Sequence, residues 1–235
     1  MIRLCILGNS HAGALKQASA EFCAAHPEAV LTFFAAVAFD SRAMAVQDGQ
    51  YAPLNDALAA QYEMTSGGLR AIDPAQYDAF VVYGFGGRSL PQDRPRAYSQ
   101  AFRAACTLAR LQEDLIGPHL QALRGLTDKP LFAALKPLPC PQDGRRPRRL
   151  LPHHEEVALA QRHICDPLGA QMVAQPAATR IDERATHPDF ASGSARLVQV
   201  AHPDAPAHAD DEAKHMNAEY GRLWLDAFWP HLRPG

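Results

Sequence analysis

The residues best suited to chemistry stand at the two ends of the chain. Near the start, Gly8-Asn9-Ser10-His11 follows the apolar run Leu4-Cys5-Ile6-Leu7. A serine placed directly after a buried strand, at the entry to a helix, faces helix-terminal N–H groups and the positive end of the dipole. An oxyanion beside Ser10 can be steadied by its own backbone N–H. The plainer role for Ser10 is a helix N-cap. A nucleophilic serine also needs a base. Near the other end stand Asp210, Asp211, Glu212 and His215. An acid there can orient the His215 imidazole while the other ring nitrogen takes the serine proton. The plainer roles are a capping histidine and an acidic helix start. His11 neighbours Ser10, and as a base it is expected to point elsewhere.

Other clusters offer less. Gly84-Phe85-Gly86-Gly87-Arg88 ends an apolar run, but it lacks the full dinucleotide fingerprint. Arg145, Arg146, Arg148 and Arg149 surround Pro147. Four guanidinium groups could grip a phosphate or sulfate, and a solvated loop is the favoured reading. His153-His154-Glu155-Glu156 lacks the His-Glu-x-x-His spacing that sets two imidazoles on one helix face. It reads as a charged helix start. No metal and no cofactor are expected.

Alternating elements must position the two ends. Continuous apolar runs at 4–7, 29–39, 77–83, 130–135 and 170–174 read as buried strands. Helical spacing covers 12–25, 97–123 (interrupted or bent at Gly117-Pro118), 154–168, and a last helix from about Glu212. Residues 40–76 read as irregular and polar. This alternation predicts an α/β fold: a three-layer α/β/α sandwich around a mostly parallel five-stranded sheet. In such sheets the carboxyl ends of the strands carry the site. Gly8-Asn9-Ser10 and the 84–87 glycines belong at that edge.

The chain has 235 residues, 47% hydrophobic, which suits one core and a single domain over 1–235. A formal net charge of −2 gives no global pull toward nucleic acid or an anionic membrane. Five widely spaced cysteines without a Cys-x-x-Cys pair point to free thiols in a reducing compartment. No apolar run reaches the roughly 20 residues of a membrane span, and the N-terminal apolar run is too short for a signal peptide. The expectation is a soluble, cytoplasmic protein.

Taken together, the two ends resemble the SGNH/GDSL hydrolases, a flavodoxin-like superfamily of esterases, lipases, deacetylases and some acyltransferases. That family places its serine after the first strand as Gly-Asp-Ser or a variant, which Gly8-Asn9-Ser10 matches with Asn for Asp. Its last block is Asp-x-x-His, which His215 matches in position and chain order. Glu212 stands three residues before His215 and Asp211 four before. Either acid can complete the triad, with Glu212 ahead on spacing. The family's Gly-x-Asn loop has no asparagine here. The resemblance therefore leaves the oxyanion and substrate contacts to Gly84, Gly86, Gly87, Arg88 and His11. Gly49, Gly67 and Gly68 are the candidates for a further donor. The pattern Gly-Asn-Ser-His … His-Met-Asn-x-x-Tyr-Gly looks like a divergent bacterial branch. The resemblance implies an esterase or deacylase acting on a small acyl ester, on a carbohydrate by preference, through an acyl-enzyme. The alternatives are an O-acyltransferase, or a catalytically degenerate module that binds a glycan or protein.

Overall fold

The computed structural model describes residues 1–37, 40–86, 98–142, 145, 147, 149–195 and 214–232. Its main sheet is built from β1 (Ile2–Gly8), β2 (Ala29–Ala35), β5 (Ala79–Phe85), β6 (Leu131–Leu135) and β7 (Ala170–Met172). The order is β2-β1-β5-β6-β7, and every pairing is parallel. Six α-helices are described: α1 (Ala12–Ala25), α2 (Asp56–Ser66), α3 (Gln100–Gln112), α4 (Ile116–Leu126), α5 (His153–Ala160) and α6 (Ala218–Phe228). The result is the expected three-layer α/β/α arrangement.

The strands are apolar throughout because helices cover both faces. In β1, Leu4 and Ile6 join one core with Leu15 and Phe22 of α1 and Trp224 and Phe228 of α6. Cys5 and Leu7 point the other way, into a core with Leu58 and Tyr62 of α2, Leu111 of α3 and Leu120 of α4. The same alternation splits Val81 and Tyr83 from Phe80 and Val82 in β5.

Several local expectations are corrected. Residues 40–76 are ordered into the hairpin β3 (Met44–Gln47) and β4 (Gln50–Pro53), followed by α2. Asp48 and Gly49 turn the hairpin with φ of 49° and 77°, the geometry that an Asp-Gly pair favours. Asn55 caps α2 by accepting from the Leu58 N–H, and Gly67 closes it at φ 83°. The long helix expected over 97–123 is two helices. The break falls at residues 113–115. Gly117-Pro118 lies in the first turn of α4, where proline's missing N–H has no helical acceptor to lose. The last helix begins at Ala218, capped by Asn217, and not near Glu212.

Candidate active site

Ser10 and His215 are 205 residues apart and meet in the fold. His215 Nε2 lies 2.9 Å from Ser10 Oγ. Both are half-buried, so a ligand can reach them. The two residues sit at matching places. Ser10 lies two residues beyond β1 and ahead of α1, while His215 lies just ahead of α6. The packing of α1 against α6 therefore sets their separation.

Gly221 makes that packing close. A Cβ at this position would stand 2.1 Å from the Ala14 carbonyl oxygen and 2.9 Å from the Leu15 nitrogen. Only glycine lets α6 approach the α1 backbone so nearly. Asn217 fixes the approach from the other side. Its Oδ1 accepts from the Tyr220 N–H, capping α6. Its Nδ2 donates to the carbonyls of Asp189 (2.8 Å) and Ser192 (2.9 Å), and its N–H to that of Phe190 (2.7 Å). Met216, between it and His215, is buried. The His215 backbone is thus held by its two C-terminal neighbours.

Ser10 is not the helix cap. His11 occupies that position of α1 and makes no side-chain cap. Capping in this turn falls to Asn9, whose Oδ1 accepts from the His11 N–H at 3.0 Å. Asn9 Nδ2 donates to the Gly84 carbonyl at 2.7 Å, in a buried position. That bond explains an Asn where the resembling family carries Asp: an ionised carboxylate has no proton for the carbonyl. Gly84 lies within β5, not in a loop after it. It forms a bulge, because the register with β6 shifts between Tyr83 and Phe85. Its φ is 88°, and a Cβ there would come 2.6 Å from Asn9 Oδ1. The turn after β1 and the bulge in β5 are therefore built for each other.

His11 comes closer to the site than its sequence position suggested. Its ring stacks on His215 with centroids 4.9 Å apart and planes 27° off parallel. Gly86 follows β5 at the same edge. Asp211, Glu212, Gly87 and Arg88 lie outside the described residues. Gly49 and Gly67 serve turns elsewhere, in the hairpin and at the end of α2, with Gly68 following.

The arginine cluster is corrected in part. Arg149 is not solvated: its side chain is 10% exposed and pairs with Glu156, which also pairs with Arg110 of α3. Arg146 and Arg148 lie outside the described residues. His153 and His154 turn to protein partners. His153 Nε2 accepts from the Gln175 N–H at 3.0 Å, and His154 Nδ1 lies 3.0 Å from Glu183. Sequence reasoning placed Asn9, Asn217 and Gly221 only as members of the two terminal motifs and gave none of them a hydrogen-bonding or packing role. The one available signal was Asn217 ahead of a helical pattern, an N-cap signature.

No protein-family model matches the chain, and no curated protein matches it. Among solved structures, the chain is similar to the periplasmic domain of the Salmonella ser. Paratyphi A lipopolysaccharide acetyltransferase. The identity is 10% and the TM-score 0.49, over 98% of this chain and 83% of that one. At that identity no residue role transfers. This neighbour is a periplasmic domain, which departs from the cytoplasmic expectation. The cysteine argument behind it also fails physically. All five thiols are free, but Cys5, Cys140 and Cys165 are buried. Burial pushes Cys140 up to about 11, and burial with the Asp166 charge pushes Cys165 to about 12. Thiols so protected stay unreactive in either kind of compartment. No helix among the described residues is long and apolar enough to cross a membrane.

Proposed function

We propose that the chain is an acyl-transfer enzyme of the SGNH/GDSL kind, with Ser10 as nucleophile and His215 as its base. The observation that carries this reading is the 2.9 Å contact between His215 Nε2 and Ser10 Oγ. It joins the ends of the chain at the carboxyl edge of a parallel sheet, where such folds hold their ligands. Ser10 Oγ attacks the acyl carbonyl as its proton passes to Nε2. The imidazolium then protonates the departing alkoxide. A second hydroxyl, from water or from an acceptor, attacks the acyl-serine carbonyl as its proton passes to His215, and His215 returns that proton to Ser10 Oγ as the acyl carbon–Oγ bond breaks. Water makes the protein an esterase, and an acceptor hydroxyl makes it an O-acyltransferase.

Within the nucleophile turn, the His11 N–H is taken by Asn9 Oδ1 and the Ala12 N–H by the Asn9 carbonyl. The Ser10 N–H is the donor this turn offers an oxyanion, and the backbone at Gly86 and Gly87 supplies the second. Glu212 or Asp211 orients His215. The stacked His11 ring restrains the plane of the base. A small acyl ester on a carbohydrate is the proposed substrate.

A fluorophosphonate probe tests the assignment. Wild type is expected to label at Ser10. Ser10→Ala abolishes labelling, and His215→Ala slows it about 10²-fold or more, the usual contribution of a general base. Labelling that persists in Ser10→Ala moves the nucleophile elsewhere. A wild type that never labels removes the acyl-enzyme reading.

A further inference from the structure

The segment that seats the base is itself held by one buried amide. Asn217 stands two residues after His215 and bonds to the carbonyls of Asp189, Phe190 and Ser192. Between Val173 and Ser192 the only helical pieces are two single turns, Ala177–Thr179 and Pro188–Phe190. Regular structure therefore does little to place those carbonyls.

Gln175 does it through side chains. Its Oε1 accepts from the Leu138 N–H at 2.8 Å, in the loop after β6. Its Nε2 donates to Thr179 Oγ1 and to Thr186 Oγ1, each at 2.9 Å. The amide cannot be turned round, because the Leu138 N–H has to face an acceptor. Each hydroxyl passes its own proton on, Thr179 to the Pro176 carbonyl at 2.8 Å and Thr186 to the Leu138 carbonyl at 2.5 Å. The Gln175 N–H goes to His153 Nε2 at 3.0 Å. Gln175 is 5% exposed and both threonines are 0% exposed. An amide buried with its oxygen and both hydrogens paired fixes one arrangement, since any other strands polar groups away from water.

These bonds close a loop and aim it. Arg180 and Thr186 face each other in an antiparallel bridge, so the two threonines hold its two legs together. The Thr186 N–H reaches the Pro139 carbonyl at 3.3 Å, and the His187 N–H reaches the Thr179 carbonyl at 3.0 Å. Pro188 follows at once and starts the turn whose carbonyls Asn217 takes.

We infer that Gln175, through Thr179 and Thr186, is a positioning residue for His215. This role rests on the acyl-transfer reading, in which His215 is the base. Strand β7, which leads to Gln175, lies three strand spacings from β1, which leads to Ser10, about 14 Å. Gln175 therefore touches neither reacting atom. It acts through Thr186, the 188–192 turn and Asn217, and so keeps His215 Nε2 at 2.9 Å from Ser10 Oγ.

Two measurements test this on Thr186→Val, Thr186→Ser, Gln175→Met and Tyr51→Phe. Thr186→Val keeps the side-chain shape and removes the hydroxyl, and Thr186→Ser gives the hydroxyl back. Tyr51→Phe is the control: it breaks a buried bond, 2.7 Å to His119 Nδ1, against the opposite face of the sheet. The first measurement is the saturation kinetics of fluorophosphonate labelling, well below each melting temperature. Thr186→Val is expected to lower the maximal rate about 10- to 100-fold, the effect of a misplacement of up to about 1 Å. The half-saturating probe concentration stays the same. Gln175→Met slows labelling at least as much, and Thr186→Ser recovers most of the rate. Tyr51→Phe melts lower and labels like wild type. The second measurement is the Cε1–H resonance of His215, identified by its loss in His215→Gln. It is expected to match wild type in Thr186→Ser and Tyr51→Phe, and to be displaced or broadened in Thr186→Val. A Thr186→Val protein with the wild-type rate and resonance overturns the positioning role and leaves the acyl reading standing. Equal slowing in Tyr51→Phe also overturns it, because the rate then follows stability alone. A resonance that moves in Thr186→Val while wild type never labels overturns the acyl reading and leaves the positioning of His215 standing.

Discussion

Gly221→Ala should destabilise the protein and pull its two candidate catalytic groups apart. On an isolated helix the substitution is favourable by about 1 kcal/mol, because alanine is the better helix former. Here the new Cβ would stand 2.1 Å from the Ala14 oxygen and 2.5 Å from its carbonyl carbon, where ordinary contact begins near 3.4 Å. The obstacle is backbone, so no side chain can swing aside. The helices must part by roughly 1 Å, and overpacking of this kind costs about 3 kcal/mol, the upper end of its range. The net loss is about 2 kcal/mol, a fall in Tm of about 4–8 °C for a chain of this size. Because α1 follows Ser10 and α6 follows His215, the 2.9 Å contact between them stretches beyond hydrogen-bond length. A misplacement of about 1 Å slows chemistry about 10²-fold. Thermal unfolding followed by circular dichroism reads the first effect, and the rate of fluorophosphonate labelling reads the second. Gly125→Ala in α4 is the control, since nothing lies within 4 Å of its would-be Cβ. That change should raise stability by about 0.5–1 kcal/mol. A Gly221→Ala protein that melts at or above wild type and labels at the same rate would falsify the argument.

Asn9→Asp should lose about 1–3 kcal/mol at pH 7, because an ionised carboxylate cannot donate to the Gly84 carbonyl. Part of the loss should return as the pH is lowered and the acid gains a proton. Urea unfolding at pH 7 and pH 5 checks this, and a variant as stable as wild type at pH 7 counts against it. The buried histidines predict a separate pH dependence. Burial holds His119 at about 4, and burial with Arg180 and Arg149 holds His153 at about 4, against an ordinary 6.5. The folded state therefore binds fewer protons than the unfolded one. This stability is complete above the unfolded value and is lost as pH falls from about 6.5 toward 4, on the order of 3 kcal/mol for each group. Denaturation midpoints measured from pH 7.5 to 4 should fall, and His119→Gln should flatten the slope. A wild-type midpoint that stays level across that window contradicts the account.

Where sequence and structure part, the cause is local in some places and distant in others. The hairpin turn at Asp48-Gly49 and the caps Asn55 and Gly67 around α2 were legible, since turn and cap chemistry depends on a few neighbouring residues. Mean polarity across 40–76 masked them. Gly117-Pro118 was a true signal assigned to the wrong event, because proline ends helices but also begins them. Arg149 could not have been placed from its neighbours. Its burial depends on Glu156 and on Arg110, 39 residues earlier in the chain.

The sequence by itself determined the layered fold and the candidates at its two ends. Continuous apolar strands alternating with helices admit few other arrangements, and Gly8-Asn9-Ser10 had to follow the first of them. Tertiary structure alone decided that Ser10 faces His215 and does not cap α1. It also decided that Asn9 serves the Gly84 bulge. Each of these depends on the distance between elements remote in sequence. That distance is set by close packing such as Gly221 against Ala14, which no local pattern encodes.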